Sequence, residues 1–405
     1  MSIQNPFKPG AGHMPPYLAG REDEKREFQK LLKQNVILEN LVLTGLRGTG
    51  KTVLLETFKP IAQQAKWLWV GTDLSESASL SEANIATRLL TDLSVVTSGF
   101  KVGENRTVTG IGFIQDESIS DITLNYSTLM AIYESTPGLV ADKIKRVLEI
   151  VWDTLKSSGV SGIIFAYDEA QNLSDHAQKD QYPLSLLLDT FQSIQRKEIP
   201  FMLALTGLPT LFPKLVEART YSERMFRVVF LDRLDEEAVR QAILVPLENC
   251  EIQLSQHSIN QIIEMSGGYP YFVQFICREV YDLFIQKMDN GEKLSVPSEA
   301  IIRKLDTDFF VGRWARATDR QRELLGVISE LPNCNAEFSV QEVTTESKSL
   351  LDKPFSSSHV NQMLASLTES GLVYKNRHGK YSFAVPLLGQ FIKRQKIEGV
   401  NRLET

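Results

Sequence analysis

The stretch LTGLRGTGKTVLLETF, residues 43–58, constrains this chain more than any other. Gly45, Gly50, Lys51 and Thr52 keep the spacing G-x-x-x-x-G-K-[ST]; the apolar run Leu41, Val42, Leu43 precedes it and an amphipathic segment follows. A buried strand that turns through glycines into a helix leaves backbone N–H groups facing inward. No Cβ then blocks the approach of an anion, and the helix adds the positive end of its dipole. The candidate ligand-binding residues of the loop are Gly45, Leu46, Arg47, Gly48, Thr49, Gly50, Lys51, Thr52 and Val53. Lys51 is expected to bring its ammonium to the terminal phosphates of a nucleoside triphosphate, and Thr52 to offer a hydroxyl to Mg²⁺. The helix is expected over 53–58, stopping at Pro60, which lacks a backbone donor.

Four more β-prone runs, at 67–71, 163–168, 201–206 and 227–231, follow the one at 41–44. Most are continuously apolar and alternate with helical segments such as 139–156, as a parallel sheet covered on both faces requires. A helix starts at Arg21, with Phe28, Leu31 and Leu32 as its stripe. These elements predict an α/β core over 21–232, with an insertion at about 99–135. Within the insertion, SGFKVGENRTVTGIGFIQDESISD alternates partly and suggests a loop or hairpin. The Pro- and Gly-rich arm 1–20 is either flexible or laid over another domain.

Past Leu234 the pattern turns helical. Asp235 is placed to cap a helix through Val245, Ser258 another through Met265, and Pro270 opens a third, giving a small helical domain over 233–312. The remainder, 313–405, reads as a helix over 319–331 and a second helix capped within 356–358 whose apolar face is Val360, Met363, Leu364 and Leu367. After Gly371, runs at 372–375 and 381–383 flank a turn at 376–380. Helix, helix, hairpin is a winged-helix arrangement.

The chain has 405 residues, 42% hydrophobic and 23% charged, enough to bury several domain cores. Its start lacks the basic and apolar regions of a secretory leader, and no apolar run reaches membrane-spanning length, so a cytoplasmic address without membrane contact is expected. Cys250, Cys277 and Cys334 are widely spaced and odd in number, which suits free thiols better than a disulfide framework or a zinc site. His13, His176, His257, His359 and His378 show no ligand spacing. The net charge of −6 gives no global attraction to nucleic acid, so any DNA contact needs a local basic patch.

In GIIFAYDEAQ an apolar run ends in Asp168 and Glu169. Beside a phosphate loop, Asp168 is expected to hold Mg²⁺ directly or through water, and Glu169 to orient or deprotonate an attacking water. No N-K-x-D guanine-reading motif follows the loop, so ATP is the expected nucleotide. The segment MSGGYP superficially matches an ABC signature but lies after the DE strand instead of before it.

Together these segments resemble AAA+ ATPases, most of all the Orc/Cdc6 replication-initiator group and the bacterial and archaeal proteins that share their pattern with STAND ATPases. The resemblance spans most of the chain from Leu18 onward. It implies a P-loop NTPase (AAA+) parallel-sheet core, a helical lid domain and a C-terminal winged-helix domain. In PPYLAGREDE it matches Leu18, Gly20 and Arg21 to the box that borders the adenine; in LALTGLPTLF it puts Thr206 at the polar sensor position near the γ-phosphate. In SERMF it implies that Arg224 reaches a neighbouring subunit of a homo-oligomer, and in SGGYPYFVQ it matches the lid motif with Pro270. The lid arginine common in AAA+ proteins has no counterpart at Gly267, Gly268, Tyr269 and Pro270; this Gly-x-Pro form is nearer to STAND proteins.

The exposed face expected of the presumed recognition helix, His359, Asn361, Gln362, Ser366 and Glu369, carries no Lys or Arg. The wing does: Lys375, Arg377 and Lys380 cluster there, and Lys393, Arg394 and Lys396 follow in the final helix. Such a patch grips a duplex backbone without reading its sequence. Two readings result. One is an ATPase that couples nucleotide state to assembly and to double-stranded DNA; the other is a STAND-like switch or adaptor whose winged helix binds a protein partner.

Overall fold

Alternation of strands and helices fills the first part of the chain. In order it forms α1 (Glu22–Leu31), β1 (Asn40–Gly45), α2 (Lys51–Gln64), β2 (Trp67–Val70), α3 (Glu82–Thr97), β3 (Lys101–Thr109) and β4 (Asp116–Thr123). Then come α4 (Tyr126–Ser135), α5 (Val140–Leu155), β5 (Gly162–Tyr167), α6 (Pro183–Gln195), β6 (Phe201–Gly207), α7 (Leu211–Ala218), α8 (Ser222–Met225) and β7 (Phe226–Leu231). The computed structural model describes residues 4–109, 116–289, 295–377 and 379–403. It divides into two compact units, one of residues 22–44 and 54–230, the other of 1–21, 45–53 and 231–405.

In the first unit five strands form one sheet in the order β2-β5-β6-β1-β7. The β2–β5, β5–β6 and β6–β1 pairs are parallel. β1, β5 and β6 are buried along their whole length, which is why their sequences are continuously apolar instead of alternating. Leu89 and Leu93 of α3, Val147 and Val151 of α5 and Phe191 of α6 join Phe165 and Leu205 in one apolar core. Phe28 of α1 stacks on Phe58 of α2 at 4.3 Å.

The helix after the phosphate-binding pattern does not stop at Pro60. α2 runs on to Gln64 with Pro60 inside it. Pro60 is exposed, so the carbonyl it leaves without a helical donor faces water, while buried Leu54, Leu55, Phe58 and Ala62 hold the helix on both sides of it. The insertion contains an antiparallel ladder of β3 and β4; residues 110–115 between them lie outside the described residues.

In the second unit the chain forms α9 (Glu236–Leu244), α10 (Gln256–Ser266), α11 (Pro270–Asp289), α12 (Ser298–Leu305), α13 (Gly312–Trp314) and α14 (Asp319–Glu330). β8 (Phe338–Ser339), α15 (Val340–Leu350), α16 (Ser357–Glu369), β9 (Val373–Arg377), β10 (Lys380–Phe383) and α17 (Leu388–Leu403) complete it. The Asp235 carboxylate caps α9 by accepting from the Ala238 N–H at 2.8 Å. Ser255, not Ser258, caps α10: the Ser258 N–H donates to the Ser255 hydroxyl at 3.1 Å, and Ser258 itself is buried in the first turn. Ser356 caps α16, whose Val360, Met363, Leu364 and Leu367 are buried. β8, β10 and β9 form a three-stranded sheet in that order. A single apolar cluster runs from Phe272 and Val280 of α11 through Phe310 to Phe391 of α17, with Phe310 stacked on Phe391 at 5.1 Å.

The N-terminal arm lies on α11. Phe7 is buried in the same cluster, and the Asn5 amide donates to the Arg278 carbonyl at 2.9 Å and to the Asp282 carboxylate at 2.7 Å. All three cysteines are free thiols. Among the described residues no helix is long and apolar enough to cross a membrane.

Candidate functional site

The phosphate-binding pattern takes its shape from three glycines. A Cβ on Gly45 would stand 2.4 Å from the Leu231 carbonyl oxygen, while Gly48 and Gly50 have φ of +80° and +87°, a left-handed backbone that other residues adopt only with strain. The Thr49 hydroxyl donates to the Leu46 carbonyl at 2.9 Å, closing the turn. The Lys51 ammonium donates to the Gly45 and Leu46 carbonyls at 3.0 and 2.8 Å. Its ammonium therefore lies across the loop. Thr52 and Val53 are half-buried in the first turn of α2, and a Cβ on Gly12 of the arm would touch the Thr52 methyl at 3.4 Å.

Two further groups brace the loop from outside. Arg21, only 6% exposed, donates from Nη2 to the Thr49 carbonyl at 3.0 Å and to the Asp232 carbonyl at 2.8 Å. It follows Leu18, which is half-buried, and Gly20, whose φ of +63° and close approach to Ala238 exclude a side chain. Pro270 opens α11, and the next residue, Tyr271, donates its N–H to the Gly48 carbonyl at 3.1 Å. One of the orphan donors of that helix end thus serves the loop. Arg47 is exposed; burial first, and then the positive charges of Arg47 and Arg316, lower the pKa of Arg313.

At the ends of β5 and β6 the register pairs Tyr167 with Leu205, and across β6 it pairs Thr206 with Leu43. Strand alternation puts Asp168 and Thr206 together on the face opposite Tyr167 and Leu205. Asp168 is 5% exposed and is fixed from several directions. Its N–H donates to Thr72 at 3.2 Å, its carbonyl accepts from Leu74 at 2.9 Å, and its Oδ1 accepts from the Glu169 N–H at 2.8 Å. Glu169 turns the chain with a φ of +51° and is exposed. The Gln171 amide donates to the Glu169 carboxylate. The Thr206 hydroxyl is fully buried and has no hydrogen-bond partner among the described residues.

Arg224, in α8, is exposed and forms no ion pair among the described residues. The basic residues of the C-terminal part behave differently from what their clustering suggests. Lys393 and Lys396 pair with Glu330 at 3.6 and 3.2 Å, and Arg394 donates to both oxygens of Asp306 at 2.9 and 2.5 Å. These three are held by acids within the chain, which corrects their reading as part of an open patch. In the wing, Lys380 lies 3.5 Å from Glu342, Lys375 is exposed, and the side chain of Arg377 lies outside the described residues. His359, Asn361, Gln362, Ser366 and Glu369 are exposed on α16.

Similar folds occur among solved structures. The Walker-type ATPase PABY2304 of Pyrococcus abyssi is similar with a TM-score of 0.57 and 14% identity, over 93% of this chain and 96% of that one. The ORC2 protein of Aeropyrum pernix in its ADPNP-ADP complexes is similar with a TM-score of 0.53 and 12% identity, over 96% of this chain and 98% of that one. The fold is that of P-loop AAA+ ATPases. A family model described as a domain of unknown function (DUF8462) matches residues 307–392 of this chain, from just past α12 into α17. No curated protein matches it in sequence.

Two contributors to the candidate site were not singled out from sequence. Tyr271 acts through its backbone, which no side-chain motif encodes. Gln171 was legible only as the last letter of the DEAQ run.

Proposed function

We propose that the chain binds ATP with Mg²⁺, hydrolyses it, and uses the nucleotide state to control assembly and partner engagement through a C-terminal winged helix. The observation that carries this reading is the conformation of residues 45–51: two left-handed glycines, with the Lys51 ammonium folded back onto the Gly45 and Leu46 carbonyls, make a cradle for a polyanion. The name of the Pyrococcus neighbour, a Walker-type ATPase, and the ADP and ADPNP named with the Aeropyrum one support an adenine nucleotide.

In this reading Lys51 neutralises the β- and γ-phosphates, the N–H groups of the loop hold their oxygens, and Leu18, Gly20, Arg21 and Pro270 border the nucleotide. Arg21 does so by fixing the backbone at Thr49 and Asp232. The Thr52 hydroxyl and the buried Asp168 carboxylate are hard oxygen donors of the kind Mg²⁺ prefers. The metal supplies charge neutralisation at the phosphates. Glu169 orients and activates water. Thr206 keeps a buried hydroxyl without a partner among the described residues, as a γ-phosphate sensor requires. Arg224, exposed and without an acidic partner among the described residues, is the group offered to a neighbouring subunit's nucleotide.

For the winged helix, Lys375, Arg377 and Lys380 are the DNA-facing residues in the first reading. A second reading is favoured by a specific observation: Lys380, Lys393, Arg394 and Lys396 all have acidic partners within the chain. That leaves little positive charge for a duplex and suits a protein partner, as in a STAND-like switch. The catalytic assignment is tested with Glu169→Gln, which is expected to bind ATP as tightly as the parent chain while losing turnover by a hundredfold or more, on the order of a missing general base. Undiminished hydrolysis by this variant would give the water to another group.

A further inference from the structure

The Gln171 side chain spans two elements. Its Nε2 donates to the Glu169 carboxylate, and its Oε1 accepts from the Leu208 N–H at 3.1 Å, two residues beyond Thr206. Its own carbonyl accepts from the Lys214 ammonium at 2.7 Å, and burial is the main cause that lowers the pKa of that lysine. The turn that carries it is closed by the Asn172 N–H on the Glu169 carbonyl at 2.9 Å, and the Asn172 amide donates to Leu74 at 2.9 Å. Glu169 stands in this turn with a left-handed backbone, which aims its side chain but does not by itself choose a rotamer. The amide of Gln171 makes that choice. Gly207 leaves the room for it, because a Cβ there would stand 2.5 Å from Gln171 Oε1.

Resting on the reading of Glu169 as the group that activates water, we propose that Gln171 is a positioning residue. It holds the Glu169 carboxylate in its working rotamer and ties it to the end of β6, so that a shift at Thr206 reaches Glu169 through Gly207 and Leu208. A glutamine suits this because one planar group gives a donor to the carboxylate and an acceptor to the backbone. Neither leucine nor a carboxylate does both.

The test uses the full chain and Mg·ATP, reading kcat, KM and ATP affinity by calorimetry. Gln171→Leu is expected to lower kcat about tenfold or more at every pH, with KM and ATP affinity unchanged. Gly207→Ala, whose Cβ would meet Gln171 Oε1 first and crowd Leu211 at 3.0 Å, is expected to lower kcat several-fold in the same way. Gln171→Glu sets two carboxylates together and removes the amide donor, and is expected to lower kcat at least as far as Gln171→Leu with ATP affinity unchanged. In a Glu169→Gln background, Gln171→Leu should add no further loss, since both act through one carboxylate. Parent-like kcat in Gln171→Leu and Gly207→Ala, with Glu169→Gln inactive, overturns the role of Gln171 alone. Parent-like hydrolysis by Glu169→Gln overturns the reading beneath it.

Discussion

A hydroxyl buried without a partner, as at Thr206, is a standing cost of about 1–3 kcal/mol. Such a cost persists where function uses the group. Thr206→Val keeps the β-branched shape and removes the oxygen, so the variant is expected to be as stable as the parent or more stable by about 1 kcal/mol, and to hydrolyse ATP much more slowly. Thermal unfolding and turnover measured on one preparation check both signs; a destabilised variant with full turnover would make Thr206 an ordinary strand residue. At this scale the sequence exposed residues whose chemistry fits a spaced pattern: Gly45, Gly50, Lys51, Thr52, Asp168 and Glu169. It did not expose Tyr271, because a backbone donor leaves no mark on the identity of neighbouring side chains. For Arg21 the structure adds what no motif states, bonds from its guanidinium to the carbonyls of Thr49 and Asp232.

The central elements of the sheet were legible because β1, β5 and β6 are buried on both faces and therefore continuously apolar. Helices read less evenly. α15 was missed because only Val343 and Ser347 of its residues are buried, giving no stripe, although the capping box from Ser339 to Glu342 marks its start. Pro60 was over-weighted as a terminator, since its exposed position lets water replace the lost donor. The final helix was misjudged for another reason: charge clustering along a sequence does not reveal acids brought from elsewhere. Arg394 reaches Asp306, whose side chain is 11% exposed, so this basic residue fastens α17 instead of facing a duplex. Arg394→Ala strands a mostly buried carboxylate and is expected to cost on the order of 2–3 kcal/mol, less than a fully buried pair. Arg394→Met combined with Asp306→Leu should recover most of that loss in denaturant titrations. If Arg394→Ala unfolds like the parent, the pair is not what secures the helix.

For the whole molecule, the grouping of residues is informative: the loop 45–53 belongs to the same compact unit as the arm, the helices α9 to α12 and the C-terminal elements. Any strain that a nucleotide sets up at Gly48 or Thr49 acts directly on Tyr271 and Arg21, the first contacts of that unit with the loop. Assembly is then the expected output. Light scattering should show a larger species with ATP than without, and Arg224→Ala should remain small under both conditions. Adding duplex DNA at low salt separates the two partner readings, since enlargement sensitive to Lys375 and Lys380 belongs only to the DNA-binding one. All of this depends on the loop holding a triphosphate. The most direct measurement is a calorimetric titration of ATP into the magnesium-containing full chain and into Lys51→Ala. A saturable one-to-one heat in the parent, absent from the variant, is the result predicted; no heat in the folded parent, or equal binding by both, would contradict it.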